Sequence, residues 1–544
     1  MTDPGADEFV APVRRRWIFG VAAILLVYTV VIVATWRDYG TTWDEKVQAQ
    51  YGELVLEYFK SGGQDKRCNS FLDLKYYGPL FEVGCAALYS GAPSAKIDLR
   101  HFCIAICALI TVLAAALYAR AFGGTAAIFA ALALVLLPRF YGHGFSNSKD
   151  IPFACLFACS MLAVSHAVRA RYPLWRHVAA CGAAIGLTLA IRVGGVIMFG
   201  IIGPVVMYVI AAKRRISDMA VPEPGPAESP TSAAVLRWVT LAITTLFLVW
   251  LLAIIVWPWA HQSPLLNPLR AIKMAASFHQ PYQVLFEGVL VSSDQLPWYY
   301  LIKYIGITTP LILLPLALLG VACSVRSQCR DWTSSEAVAA TQLQLWLAVP
   351  LLLFIFKRPN VYDGLRHFLF VLPALAIFVG LGVEWLLSLN NSARVRGIAG
   401  VICALCCLTT VLPMSRLHPY QSSYFNKLAG SETWRRYDTD YWVSSYKEAM
   451  EWVNRVPAEQ TVVLVGGNDN AVYCAESYAD DHVRVIPVNE VGIREKLPSP
   501  IANERVFYIG HIRYNFADNF PGSPVVHTVG RGTEVYTRIR SSQP

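Results

Sequence analysis

The sequence predicts an α-helical polytopic membrane protein with about eleven transmembrane helices and a C-terminal soluble α/β domain. Three observations predict it. Hydrophobic residues make up 55% of the 544 residues and charged residues only 15%, against about 25% charged in a soluble globular protein. Mean hydropathy is +0.43. Apolar runs long enough to cross a bilayer recur as far as about residue 414 and then stop. The same composition excludes disorder, collagen and small disulfide scaffolds. In this setting the net charge of +9 reads as basic cytoplasmic loops and contacts with anionic membrane lipids, not as nucleic-acid binding.

The runs are approximately 17–36, 101–119, 123–138, 151–168, 178–192, 194–212, 238–257, 305–325, 342–356, 367–388 and 398–414. The first follows Arg14, Arg15 and Arg16 with no small-residue cleavage site behind it, so it reads as a signal anchor. Those arginines put the N-terminus inside. Alternation then puts Arg120, Arg169, Arg171, Arg176, Lys213, Arg214, Arg215, Arg326, Arg330, Arg394 and Arg396 inside as well, and an odd count leaves the C-terminus outside. The expected division is a membrane domain over 1–414, with an external loop at 37–100, and an external α/β domain over 415–544. A further external loop is expected at about 258–304, and the Pro/Ser-rich insert 221–232 reads as a linker. Most of the thirteen Cys lie inside apolar runs, where Cys behaves as a small hydrophobe. No paired C-x-x-C supports a zinc ribbon.

In the tail, SSYKEAMEWVNRV has a helical period with Tyr446, Met450 and Val453 on one face. TVVLVGG, VRVIPV, RVFYIGHI and EVYTRI read as buried strands. Gly466-Gly467 after a strand is not a dinucleotide fingerprint and reads as a turn.

Charges at the external ends of spans are not explained by topology, so they are the candidate chemistry. Asp44 and Glu45 open TTWDEKVQAQYGELVLEYF, an amphipathic helix whose apolar side is Val47, Tyr51, Leu54 and Phe59. The bland account is an acidic first turn capped by Thr42. PRFYGHGFSNSKDIPFA reads as a short external loop between spans and gathers Arg139, His143, Asn147, Lys149 and Asp150. Its bland account is a Lys149–Asp150 pair. Arg192 stands near the external edge of its span and needs a partner or must snorkel. In KRPNVYDGLRHFLF, Arg366 and His367 precede a span directly and oppose the positive-inside trend. A bound anion resolves that conflict, since Arg binds phosphate through a fork of donors; an Arg366–Asp363 pair is the structural alternative. Carboxylates beside cations suit either a lipid phosphate with a hydroxyl to be deprotonated or a transporter or flippase of an anionic solute.

Five segments together resemble bacterial protein O-mannosyltransferase-like enzymes and the lipid A aminoarabinose transferase: TTWDE (41–45), RFYGHGFSNSKDIPFA (139–154), YDGLRHFLFVLP (362–373), HPYQSSYFNKLAG (418–430) and YDTDYWVSSYKEAMEW (437–452). These are GT-C-fold glycosyltransferases. The resemblance implies transfer of a sugar from a polyprenyl-phosphate-linked donor to a hydroxyl of a glycan, lipid or protein acceptor, on the outer face of a bacterial inner membrane. It implies Asp44 as general base with Glu45 its neighbour, Asp150 with Lys149 as the second acidic motif, and Arg366 and His367 as the basic motif for the donor phosphate; Lys149, Arg192 and Arg139 are further candidates for that phosphate by their charge and place. A divalent metal is an open option in such families, with His143, Asp150 and Glu45 as candidate ligands. Two departures stand out. Tyr77-Gly78-Pro79-Leu80 replaces the relative's Lys-Pro-Pro-Leu, leaving Lys75 as the nearest lysine, and Val443 replaces an expected Gly. Tyr420, Tyr424 and Phe425 read first as interfacial anchors of the last span.

Overall fold

The computed structural model describes residues 16–170, 174–219, 232–277, 281–389, 393–492, 495–500 and 504–543. Arg14, Arg15, Arg171 and residues 221–231 of the insert lie outside the described residues.

Apolar runs become helices because only a helix satisfies its own backbone hydrogen bonds in hydrocarbon. Among the described residues, seven helices are long and apolar enough to cross a membrane: Arg16–Thr35, Lys96–Ala119, Asp150–Arg169, Val193–Arg215, Ser335–Lys357, Arg366–Ser388 and Gly400–Leu417. Two bent pairs raise the number to nine: Gly124–Val135 with Pro138–Ser146 (63°), and Tyr300–Thr308 with Leu313–Arg330 (120°). The two remaining runs form Trp175–Leu189 and Ser232–Ile254; the first has only 15 residues. The expected count of about eleven thus meets seven clear helices, two broken ones and these two further helices, of 15 and 23 residues.

The stretch expected as a short loop is not one. Pro138–Ser146 is a helix, with Pro at its start and all nine residues buried. Pro fits the first turn of a helix because its missing N–H has no partner there. The 63° bend before it folds this polar helix back into the protein, where Arg139 and His143 find aromatic and backbone partners.

The segment 37–100 is built on the amphipathic helix Trp43–Lys60, which buries Tyr51 and Val55 against Cys68 and Leu74. The 258–304 segment holds a hairpin, β1 (Gln283–Phe286) and β2 (Val289–Ser292), turning through Glu287 and Gly288, both at positive φ. The tail holds a five-stranded mixed sheet. Its strands are β3 (Gln460–Val465), β4 (Val483–Pro487), β5 (Glu504–His511), β6 (Val525–Arg531) and β7 (Glu534–Ser541), in the order β4-β3-β5-β7-β6. β3 pairs in parallel with β4 and β5, and β7 antiparallel with β5 and β6. All four expected strands are present; β6, with its polar alternation, was not expected. Period-two alternation sorts the side chains. Val463, Val465, Phe507 and Ile509 pack with Tyr446, Met450 and Val453 of the helix Tyr446–Asn454, while Leu464 and Tyr508 face Leu497 and Phe520.

Candidate active site

Four elements that are remote in sequence converge at one end of the helical bundle. Asp44 lies in the first turn of the Trp43 helix. Lys149 and Asp150 open the helix Asp150–Arg169, and the Asn147 side-chain oxygen accepts their N–H groups at 3.2 and 2.8 Å. Arg192 follows the helix Trp175–Leu189. Arg366 opens the short helix before Leu372–Ser388. Asp44 Oδ2 lies 3.5 Å from Arg366 Nη1 and 3.8 Å from Lys149 Nζ. Asp150 pairs with Arg192 through Oδ1 and accepts from Asn147 at 3.1 Å through Oδ2.

Arg366 is 5% exposed and lies over the rings of Tyr362 (4.8 Å) and Trp442 (4.9 Å). It is held by Asp363 at 3.1 Å, and the second oxygen of Asp363 takes Arg513 at 2.6 Å. Asp363 and Gly364 both have positive φ, and the Gly364 N–H donates to the Tyr300 hydroxyl at 3.0 Å. Asp tolerates the left-handed region better than most side chains. These two residues turn the loop so that one carboxylate sits between two arginines. His367 accepts from Arg366 Nε at 3.3 Å.

The cluster therefore holds three carboxylates (Asp44, Asp150, Asp363) and four permanent cations (Lys149, Arg192, Arg366, Arg513), an excess of positive charge. Burial pushes the Asp44 carboxyl up, but Lys149, Arg366 and Arg513 outweigh it and hold the group below the ordinary carboxylate range. A cavity opens beside it, lined by Lys149, Arg192, Gln48, Tyr51, Tyr77 and Gly78 among others. Gly78 is required there: a Cβ would fall 2.0 Å from the Ala190 carbonyl oxygen, which also accepts the Leu80 N–H at 3.1 Å. Lys75 is not part of this lining; its ammonium lies over the Tyr76 ring at 5.2 Å.

Three candidates stand elsewhere. Glu45 points away from Asp44. Its Oε1 accepts from the Thr42 N–H (2.9 Å) and hydroxyl (3.1 Å) and meets His101 Nε2 at 3.1 Å, all buried. That is the backward half of a capping box, which orders the helix start. Arg139 lies with the aromatics of the last connection, over Phe425 at 4.5 Å and donating to the Tyr424 carbonyl at 3.2 Å. His143 has both ring nitrogens in use, with the Tyr441 hydroxyl at 2.8 Å and Asn147 at 3.3 Å. His143, Asp150 and Glu45 therefore do not form a common donor set, and among the described residues no group of three or more His, Cys, Asp or Glu is placed to hold a metal ion. Tyr420 also does more than anchor a span: its hydroxyl donates to Glu448 at 2.9 Å in the tail domain.

Two members of the cluster were not expected from sequence as site residues. Asp363 entered only as a rival partner for Arg366. Arg513 comes from the turn after β5 and carries no local signal, since one Arg after a strand is ordinary.

Residues 96–222 match the family model described as dolichyl-phosphate-mannose-protein mannosyltransferase. This segment carries Arg139, His143, Lys149, Asp150 and Arg192. ArnT from Cupriavidus metallidurans, solved with undecaprenyl phosphate bound, shares the fold over 97% of this chain and 98% of its own, with a TM-score of 0.51 at 13% identity. The chain has the ArnT fold over nearly its whole length. The Archaeoglobus fulgidus oligosaccharyltransferase is a more distant match, with a TM-score of 0.47 and 15% identity over 92% of this chain and 70% of that one. No curated protein sequence matches the chain significantly. The transporter alternative finds no support in these matches. The charged side chains of the cluster stand at helix ends, not at mid-span as in discontinuous transporter helices.

Proposed function

We propose that this protein is a glycosyltransferase that moves a sugar from a polyprenyl-phosphate carrier to an acceptor hydroxyl at the external face of a bacterial inner membrane. The observation that carries the reading is the mixed cluster, with an ionised carboxylate beside a cavity rimmed by two half-exposed cations. The mannosyltransferase family's lipid-phosphate donor and the undecaprenyl phosphate bound to ArnT support the choice of donor. In the reaction the acceptor oxygen bonds to the anomeric carbon as the bond from that carbon to the phosphate oxygen breaks. Asp44 takes the acceptor proton. A carboxylate of low pKa is a weak base, so it takes the proton late, when the hydroxyl has become acidic by bonding to carbon. The departing phosphate gains charge, which Lys149 and Arg192 stabilise more in the transition state than in the ground state. Arg366 keeps Asp44 ionised, with His367 packed against its guanidinium. Asp150 holds Arg192 in place, and Glu45 fixes the helix start that aims Asp44. The domain boundary near residue 414 belongs to this proposal, with the tail domain closing the external face.

Binding of undecaprenyl phosphate to the purified protein tests the donor half. Replacing Lys149 and Arg192 together by Ala removes two charge-assisted contacts of about 1.5–3 kcal/mol each, so affinity is expected to fall at least tenfold. An unchanged affinity would take the phosphate away from these residues. Topology reporters test the orientation. A fusion after residue 544 is expected to give an external signal and a fusion before residue 1 a cytoplasmic one. Two signals of the same sign would remove the external site.

A further inference from the structure

A second cavity lies on the tail-domain side of the cluster, between the β1–β2 hairpin, the segment 434–441 and the turn 512–515. Trp434, Tyr437 and Tyr514 supply aromatic rings to its lining, and Asp438, Thr439 and Arg513 are the polar residues beside them. Asp438 is 7% exposed. One of its oxygens accepts the Leu285 N–H at 3.1 Å, and the other has no hydrogen-bond partner among the described residues. Trp434 Nε1 and Thr439 Oγ1 are also buried without partners. Buried polar atoms in native proteins are almost always paired, so two unpaired ones beside a cavity mark a place where a ligand supplies the bonds.

The kind of ligand follows from the mixture. An anion is opposed by Asp438. A metal ion lacks a second free carboxylate, because Asp440 is spent on the N–H groups of Ser444 and Ser445 and the Ser444 hydroxyl. Two donor groups, one carboxylate oxygen and several aromatic faces suit a saccharide, whose hydroxyls both donate and accept and whose C–H faces stack on rings. The location says which saccharide. Arg513 lines this cavity and binds Asp363 at 2.6 Å; Asp363 binds Arg366, which lies 3.5 Å from Asp44. Arg513 and Asp363 thus link this cavity to Arg366 and Asp44 through a chain of ion pairs.

We propose that this cavity is a saccharide subsite for the acceptor, so that the acceptor hydroxyl belongs to a glycan or glycolipid sugar. The inference rests on the proposed function for the word acceptor, and its test does not need transfer to occur. Saturation-transfer NMR on the full chain in nanodiscs uses the methyl glycosides of glucose, galactose and mannose as probes, with a Ser-containing hexapeptide in parallel. At least one glycoside is expected to receive saturation at its ring protons. The signal is expected to fall at least fivefold in Asp438→Ala and Trp434→Ala, and to return in large part in Trp434→Phe, which keeps a ring. Affinity for undecaprenyl phosphate is expected to stay within twofold of wild type in all three. No saturation of any glycoside by the wild type, full signal in the Ala variants, or binding of the peptide alone would overturn the proposal. Displacement of the glycoside by undecaprenyl-phosphate mannose would overturn it too, by giving the subsite to the donor. Failure of the wild type to bind undecaprenyl phosphate would instead count against the proposed function, leaving the glycoside result readable on its own.

Discussion

Asp44→Asn is expected to lower turnover about 100- to 10,000-fold, the usual worth of a positioned general base, with expression and undecaprenyl phosphate affinity kept. Asn keeps the shape and can still accept a hydrogen bond, but it cannot take a proton. The neighbouring carboxylate supplies the control. Glu45 Oε1 is committed to Thr42 and His101, so Glu45→Gln is expected to cost stability first and turnover only through it. Thermal unfolding and kcat measured on both variants separate the roles. Near-normal kcat in Asp44→Asn would remove the base; an equal loss of kcat in Glu45→Gln at unchanged stability would give that residue a part in the chemistry.

The largest effect on stability is expected at Asp363. Its carboxylate lies between two buried guanidiniums, Arg366 at 3.1 Å and Arg513 at 2.6 Å. Removing one partner of a buried pair costs about 3–5 kcal/mol, because the other charge is left without compensation. Asp363→Asn strands two cations at once and is expected to lose both stability and turnover. Arg366→Ala is milder in stability, since Asp363 keeps Arg513, but it has a distinct signature. Arg366 is one of the cations that hold the Asp44 carboxyl below its ordinary range. Without it the carboxyl pKa rises, and the ionised base is lost at a higher pH as the solution is acidified. The acid limb of the kcat–pH profile is therefore expected to move upward in Arg366→Ala and to stay near wild type in Arg366→Lys, which keeps the charge. A purely structural Arg366 would lower stability without moving that limb.

These predictions also show what was legible beforehand. The helical bundle was readable because hydrocarbon leaves the backbone one solution, and the four tail strands because their β-branched runs have a period of two. Lys149, Asp150, Arg192 and Arg366 were readable as candidates because a charge at the end of an apolar run is expensive, so its presence needs a cause; Asp44 rose above its helix-cap account only through the family resemblance. The same reasoning misplaced Pro138–Ser146, whose polar residues look like a loop until the bend turns the helix inward. It also grouped Glu45 with Asp44, because adjacent positions on a helix look equivalent in sequence although they point about 100° apart.

By itself, then, the sequence determined the solvent of each segment and the positions where charge is out of place. Both depend on composition and period along the chain. Only the tertiary structure decided which of those charges meet. Asp363 became a clamp because two consecutive left-handed residues turned it toward Arg366, and because the sheet carried Arg513 to its other oxygen. Glu45 left the cluster because a backbone N–H and His101 claimed it. Pairing among these charges is set by distances of 2.6 to 3.8 Å between residues more than a hundred positions apart, and no local pattern encodes such distances.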